Sequence, residues 1–147
     1  MKLIIITTLA IFSLNIFASP ATDAVKYRQS AMQLIKANLS EMGAMVKGKK
    51  PYNAKSFNKN AKNLKALSSM PWAYFAVEDS DIVESSKAKE SVWDDEKKFK
   101  NGTRYFKKVV TKLDKVATPK SSIADIKSAF IDVAKTCKGC HKNFKQK

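Results

Sequence analysis

Residues that recur every three or four positions on one helical face most strongly limit how this sequence can fold. The first such series consists of Val25, Arg28, Met32, Ile35, Leu39, Met42 and Val46. This spacing is that of an amphipathic α-helix. Gly48 and Pro51 follow, and both are typical of a helix end because glycine ends helices and proline cannot continue them. The series therefore predicts a long first helix over 25–46.

Three more segments have the same periodicity. The second helix is predicted over about 53–70 and the third over about 94–117, and the fourth begins at Ser122, where Asp125 completes a capping box. The inward-facing residues are Phe57, Ala61, Leu64 and Leu67 in the second helix, Phe99, Phe106, Val110 and Leu113 in the third, and Ile123, Ile126, Phe130, Val133, Cys137, Cys140 and Phe144 in the fourth. Four amphipathic helices with short links predict an all-α fold, an antiparallel four-helix bundle.

The first 18 residues, MKLIIITTLAIFSLNIFA, have the layout of a secretory signal peptide. One lysine precedes an uncharged apolar run, which is short for a transmembrane span. We therefore expect a signal peptide at 1–18, a single mature domain at 19–147 and no membrane span after signal removal. An uncleaved anchor helix is the alternative, because Ile16 is an unusual residue three positions before a cut after Ala18.

The chain carries a formal net charge of +15. Such a surplus favours either an anionic partner or a solvated lysine surface. Nucleic acid is disfavoured because Arg28 and Arg104 are the only arginines, and base recognition favours the bidentate arginine fork over lysine. The acidic residues are concentrated between positions 78 and 96. We therefore expect a lysine-covered surface and no nucleic-acid partner.

Both cysteines and the only histidine of the chain lie together, as Cys137, Cys140 and His141. The two cysteines share the inward face of the fourth helix, so a group bound to both sulfurs would lie inside the bundle. Cys-x-x-Cys-His is the attachment signature of haem c, in which two thiols form thioethers and the histidine ligates the iron. The motif therefore predicts one covalently attached haem c with His141 as its axial iron ligand.

Three other kinds of site compete with haem c for this motif. A structural zinc site usually takes four ligands in two pairs, and the chain has no second pair. A thioredoxin-like redox pair expects a strand-helix-strand setting, which the periodicity does not predict. A structural disulfide is compatible with export. However, a three-residue spacing within a helix is a poor place to cross-link a fold, and a disulfide leaves the adjacent histidine unexplained.

Arg28 and Met32 lie one turn apart on the inward face of the first helix. A buried unpaired charge is costly, so Arg28 needs either an acidic partner, such as a haem propionate, or a route to solvent at the bundle edge. Met32 has two interpretations: it points at the haem, or it fills the core, which is the commoner role of methionine.

Five segments match, in order, the pattern of a known family: AVKYRQSAM, MGAMVKGKKPYNA, MPWAYF, VWDDEKKFK and CKGCHKNFKQK. They resemble cytochrome c′, the high-spin class II c-type cytochromes of the bacterial periplasm, over nearly the whole mature chain. The resemblance implies that Cys137 and Cys140 hold the haem and that His141 is the proximal ligand. It implies that Arg28 meets a propionate and that Met32 occupies the distal position. It also implies a periplasmic location and a homodimer packed through the first two helices.

Two features depart from the family pattern. The basic residue four places after the haem histidine is often arginine in the family and is Lys145 here. The segment after PWAYF is acidic and not glycine-rich, which gives the haem edge a different electrostatic surface.

We therefore expect a five-coordinate haem c whose apolar distal side binds small gases. Nitric oxide and carbon monoxide bind ferrous haem without a distal hydrogen-bond donor, whereas dioxygen is usually stabilised by one. The resemblance implies nitric oxide binding for protection or transport, with redox partner proteins if electrons are also transferred. The alternative is a low-spin class II electron carrier with Met32 as the sixth iron ligand. An enzyme is disfavoured because no second histidine or paired carboxylate adjoins the motif.

Overall fold

The computed structural model describes residues 19–146, and the predicted signal peptide at 1–18 lies outside this range. The described chain forms five α-helices, α1 at Pro20–Val46, α2 at Ala54–Leu67, α3 at Ser91–Asp94, α4 at Glu96–Val116 and α5 at Ile123–Phe144, with a 3-10 turn at Trp72–Phe75. The four long helices contact one another in a ring, α1 with α2, α2 with α4, α4 with α5 and α5 with α1. The predicted all-α four-helix bundle is therefore confirmed.

The ends of the first two helices follow local signals. Ser19 caps α1 by accepting a hydrogen bond from the Thr22 amide at 3.2 Å, and Pro20 fits the first turn because no intrahelical donor is needed there. This helix therefore begins earlier than predicted. Helix α2 ends at Leu67, short of the predicted limit, and Pro71 follows it closely. Proline disfavours helical geometry in the residue before it, Met70, so the helix does not reach the predicted limit.

The later helices begin at side-chain caps. Asp95 accepts a hydrogen bond from the Lys98 amide at 3.2 Å at the start of α4. Ser122 and Asp125 form the predicted capping box at the start of α5. Helix α3 was not predicted, because its four residues are too few to show a helical period.

Each long helix buries the face that its periodicity predicts, with one exception. Ile123 was predicted to face inward but is exposed, because it is the first residue of α5 and extends beyond the packed part of the bundle. Within residues 19–146, no helix combines the length and the apolar character that a bilayer span requires.

The buried side chains form two clusters. The larger one, called here the main core, consists of Ile35, Met42, Met45, Phe57, Ala61, Leu64, Phe106, Val109, Val110, Leu113, Ala117, Ile126, Ala129, Phe130 and Val133. The smaller one, called here the end cluster, consists of Val92, Phe99 and Phe144. Trp72 is half-buried and packs against both clusters. The 3-10 turn therefore marks the boundary between them.

A long connection joins the 3-10 turn to α3 and lies against α1. The Tyr27 ring of α1 stacks on Tyr74 of the 3-10 turn with the ring centroids 3.8 Å apart, and Gln29 of α1 donates to the Ser85 carbonyl oxygen of the connection at 2.8 Å. The acidic side chains of the connection, such as Glu78, Asp81 and Glu84, are exposed. The acidic residues of this segment therefore lie at the surface, and their position beside a haem edge stays a prediction.

Candidate haem site

The two cysteines of α5 contact different parts of the apolar interior. Cys137 packs against the main core, and Cys140 packs against the end cluster. Both are half-buried free thiols. Because they lie three residues apart on one helical face, they place two attachment points along the boundary between the clusters.

Burial keeps both thiols protonated. It raises the pKa of Cys137 to about 11, with a further contribution from Cys140, and it also raises the pKa of Cys140 above its usual value. A reactive redox pair instead has a lowered thiol pKa in an electropositive setting. The surroundings therefore suit attachment to an apolar group better than thiol exchange.

His141 lies on the turn of α5 that follows Cys140. His141 is exposed, yet partial burial of its ring lowers the pKa of His141, and the positive charge of Lys145 lowers it further. Neither ring nitrogen hydrogen-bonds to another residue in the range 19–146. A neutral imidazole with a free nitrogen is the form that binds metals. Because the positive charge of Lys145 lowers the pKa of His141, this lysine contributes charge on the histidine side of the site.

Arg28 is buried, with 3% of its surface exposed, and its guanidinium is held by the 3-10 turn and the connection that follows it. It donates to Ser80 Oγ at 3.1 Å, to the Ser80 carbonyl oxygen at 2.9 Å, to the Tyr74 carbonyl oxygen at 3.0 Å and to Ser86 Oγ at 2.8 Å. The guanidinium also lies 4.4 Å from the centroid of the Phe75 ring. The alternative in which Arg28 reaches solvent at the bundle edge is therefore wrong.

The charge of Arg28 is compensated by neutral groups. Burial lowers the pKa of Arg28, and the Asp81 carboxylate offsets part of this effect. No carboxylate in the range 19–146 forms a salt bridge with it. Its pairing with a haem propionate stays a prediction.

The structure brings the predicted site residues to the boundary of the two clusters. Met32 is half-buried and packs against the main core, as Cys137 does. The Arg28 guanidinium lies near Phe75 and Trp93, which pack against the end cluster together with Cys140. His141 follows Cys140 directly in the chain. Residues from two distant parts of the sequence, Arg28 and Met32 on α1 and the two cysteines on α5, thus adjoin the two apolar clusters.

The residues that hold Arg28 were not predicted from the sequence. Ser80 and Ser86 lie in the acidic segment, which shows no helical period. The signal that could have revealed the aromatic part was the pair of segments MPWAYF and VWDDEKKFK, since they contain Phe75 and Trp93.

The surroundings of Cys140 fit a large, partly apolar group. A solvent-open groove of about 510 Å³ runs between α4 and α5, and Cys140 and Phe144 line it together with Tyr105. A group attached to Cys140 would thus contact apolar side chains on one side and open space on the other. The donor set of two neutral thiols and a neutral imidazole matches the chemistry of haem c attachment.

The chain is a four-helix bundle with two thiols and an imidazole beside its apolar core. These features define the class of haem c proteins with a bundle fold. The family model described as cytochrome C′ matches residues 23–145. The chain belongs to the cytochrome c′ family. Covalently bound haem c is the cofactor of this family, so the predicted cofactor is confirmed.

Individual relatives agree with the family match. The chain is 37% identical over 131 residues to cytochrome c′ of Alcaligenes xylosoxydans xylosoxydans, which covers 89% of this chain and 98% of the relative. The structure of cytochrome c prime from Shewanella frigidimarina is similar with a TM-score of 0.81 at 39% identity, over 89% of this chain and 99% of that one. A nitric oxide complex of a variant of cytochrome c prime from Alcaligenes xylosoxidans is similar with a TM-score of 0.78 at 37% identity, over 89% and 98% of the two chains.

Proposed function

We propose that this protein is a gas-binding cytochrome whose haem c is attached through Cys137 and Cys140, with His141 as the axial iron ligand. Bound haem c supplies an iron that takes a small diatomic gas as a ligand. The observation that carries the proposal is the placement of Met32 and Cys137 against the main core and of Cys140 against the adjoining end cluster. The chain's own residues anchor the group, exclude water from one side of it and leave a neutral imidazole nitrogen for the iron.

The distal side is where the gas would bind. We assign it to Met32, because this side chain is half-buried, packs against the main core and has no hydrogen-bond donor. Nitric oxide and carbon monoxide do not need such a donor, whereas dioxygen usually does. In support, solved structures of cytochrome c prime from Alcaligenes xylosoxidans include a nitric oxide complex and a carbon monoxide-bound form, each of a variant. We therefore propose nitric oxide as the physiological ligand.

Electron transfer to redox partner proteins is the second candidate. It is favoured by the same position of Met32, because a thioether next to the iron can ligate it and typically raises its potential. In that case the haem would be six-coordinate and low-spin. We infer binding or electron transfer and not catalysis, since the chain has one histidine and that residue is assigned to the iron.

Absorbance spectra of the ferric and ferrous protein distinguish the two candidates. For the gas-binding function we expect high-spin spectra and immediate conversion of the ferrous form by carbon monoxide or nitric oxide. A sharp low-spin spectrum in both oxidation states, with no response to carbon monoxide, would overturn this proposal in favour of the electron carrier.

We also propose export to the periplasm as a mature chain of 19–147 after removal of 1–18. The intact mass of the protein purified from the periplasm tests the cleavage site. A mass that includes residues 1–18 would instead support the anchor helix.

A homodimer packed through α1 and α2 completes the proposal. Leu34 of α1 is 54% exposed and is therefore available for an apolar subunit contact on this helix. Analytical ultracentrifugation should show a dimer, and Leu34→Lys should shift it toward the monomer. A wild-type monomer at all concentrations would contradict this part.

A further inference from the structure

A short segment before α4 is bonded to the end of α5. This segment, called here the strap, comprises residues 86–91, and it contacts residues 142–146, which are the end of α5 and the two residues that follow it. The bonds run from the Lys89 amide to the Phe144 carbonyl oxygen at 3.0 Å, from the Gln146 amide to the Lys87 carbonyl oxygen at 2.9 Å, from Gln146 Nε2 to the Ala88 carbonyl oxygen at 3.0 Å, from Ser91 Oγ to the Asn143 carbonyl oxygen at 2.8 Å and from Lys89 Nζ to the Lys142 carbonyl oxygen at 3.0 Å. Ala88 and Lys145 also form an isolated antiparallel bridge.

These bonds replace the ones that a helix end lacks. The last carbonyl groups of an α-helix have no partner within the helix and need one elsewhere. The strap supplies donors to the carbonyl oxygens of Lys142, Asn143 and Phe144. His141 immediately precedes these residues, and its own carbonyl oxygen accepts the Lys145 amide at 3.1 Å. The strap therefore holds the turn that carries the histidine.

The other end of the strap is fixed to α1. Ser86 Oγ accepts one hydrogen bond from the buried Arg28 at 2.8 Å and another from the Ala88 amide at 3.3 Å. Ser86 is itself buried. One serine hydroxyl thus links a buried cation on the first helix to the segment that closes the last helix.

We propose that Ser86 and the strap are positioning elements for His141, because they join the Arg28 anchor on α1 to the α5 turn that carries the imidazole. This inference rests on the proposed role of His141 as the axial ligand. Loosening the strap would let the end of α5 move, and the imidazole would move with it. The strength of the bond between His141 and the iron would then depend on a hydroxyl that does not touch either of them.

The test compares three serine variants of the haem-loaded protein. Ser86→Ala removes the link to Arg28, and Ser91→Ala removes the bond to Asn143. Ser85→Ala is the matched control, because the Ser85 side chain has no hydrogen bond to the residues described and only its carbonyl oxygen accepts one, from Gln29. Circular dichroism is recorded first, and all three variants should keep the helical content of the wild type.

Two measurements follow. Amide hydrogen exchange at 142–146 should be about threefold to tenfold faster in Ser86→Ala and Ser91→Ala than in Ser85→Ala, because the first variant loses two hydrogen bonds and the second loses one. The iron-histidine stretching band in the resonance Raman spectrum of the ferrous protein should shift or broaden in the same two variants and stay unchanged in the control.

The outcomes separate the strap from the proposed function. Unchanged exchange in both variants would show that the strap does not hold the turn and would overturn the inference. Faster exchange with an unmoved band would leave the strap a purely structural element, which also overturns it. A wild-type protein with no iron-histidine band would instead refute the assignment of His141, and the inference would fail together with it.

Discussion

Replacing Arg28 with leucine tests the most unusual feature of the interior, a cation that is 3% exposed and held only by neutral partners in the described chain. The substitution removes four hydrogen bonds. The hydroxyls of Ser80 and Ser86 can rotate toward new partners, but the carbonyl oxygens of Tyr74 and Ser80 cannot.

The expected loss of stability follows from these acceptors. Two unsatisfied carbonyl groups cost about 1–3 kcal/mol each. The variant no longer buries a cation, which offsets part of that cost, so we expect a net decrease of about 2–4 kcal/mol in the free energy of unfolding. Denaturation of the haem-loaded protein, followed by far-ultraviolet circular dichroism, measures this quantity.

The only other arginine provides the control. Arg104 is exposed on α4 and hydrogen-bonds to Asn101 alone, so Arg104→Leu should change stability by less than about 0.5 kcal/mol. A loss in Arg28→Leu that is no greater than the loss in Arg104→Leu would refute the reasoning.

The same pair of variants tests the predicted propionate contact. Removing a positive charge next to the haem favours the ferric form, so the midpoint potential of Arg28→Leu should fall relative to that of Arg104→Leu. Equal potentials would contradict the contact and leave the connection as the only partner of Arg28.

Three further predictions concern the attachment site, the distal side and a helix cap. In Cys137→Ala or Cys140→Ala, one thioether remains and haem retention should weaken. The double variant should release all of its haem to acidified organic solvent. Extraction of haem from the wild type by the same solvent would refute covalent attachment. Met32→Ala should accelerate carbon monoxide binding by about 2- to 10-fold in flash photolysis, since displacing a packed side chain costs about 0.5–1.5 kcal/mol. Met70 is exposed, so Met70→Ala should leave this rate unchanged. Loss of a near-infrared iron-thioether band in Met32→Ala would instead identify an electron carrier. Hydrogen bonds from the Ser122 side chain and from its amide lower the pKa of Asp125, so the stability that this carboxylate contributes is present above its ordinary pKa and is lost as the pH falls through the lower folded value. Asp125→Asn should therefore be less stable than the wild type at neutral pH, and this difference in stability should disappear below about pH 4. A difference that does not depend on pH would contradict the cap.

The sequence alone was sufficient wherever the relevant physics is local. A helix buries one face, so residues such as Phe57 and Val110 revealed it by their spacing. The capping box at Ser122 depends on bonds between residues three positions apart and was equally readable. The motif that contains Cys137, Cys140 and His141 combines one-turn spacing with specific ligand chemistry, and it indicated the cofactor without any long-range information.

The partners of Arg28 and the closing of α5 were decided only by the tertiary structure. Ser86 is 58 residues from Arg28, and Ser91 is 52 residues from Asn143. Hydrogen bonds between irregular segments have no period that a sequence could reveal, because either partner could pair with any polar group that the fold brings near it. The pattern placed Arg28 on an inward face and showed that its charge needs compensation. Which groups compensate it depended on how the connection after the 3-10 turn packs against α1.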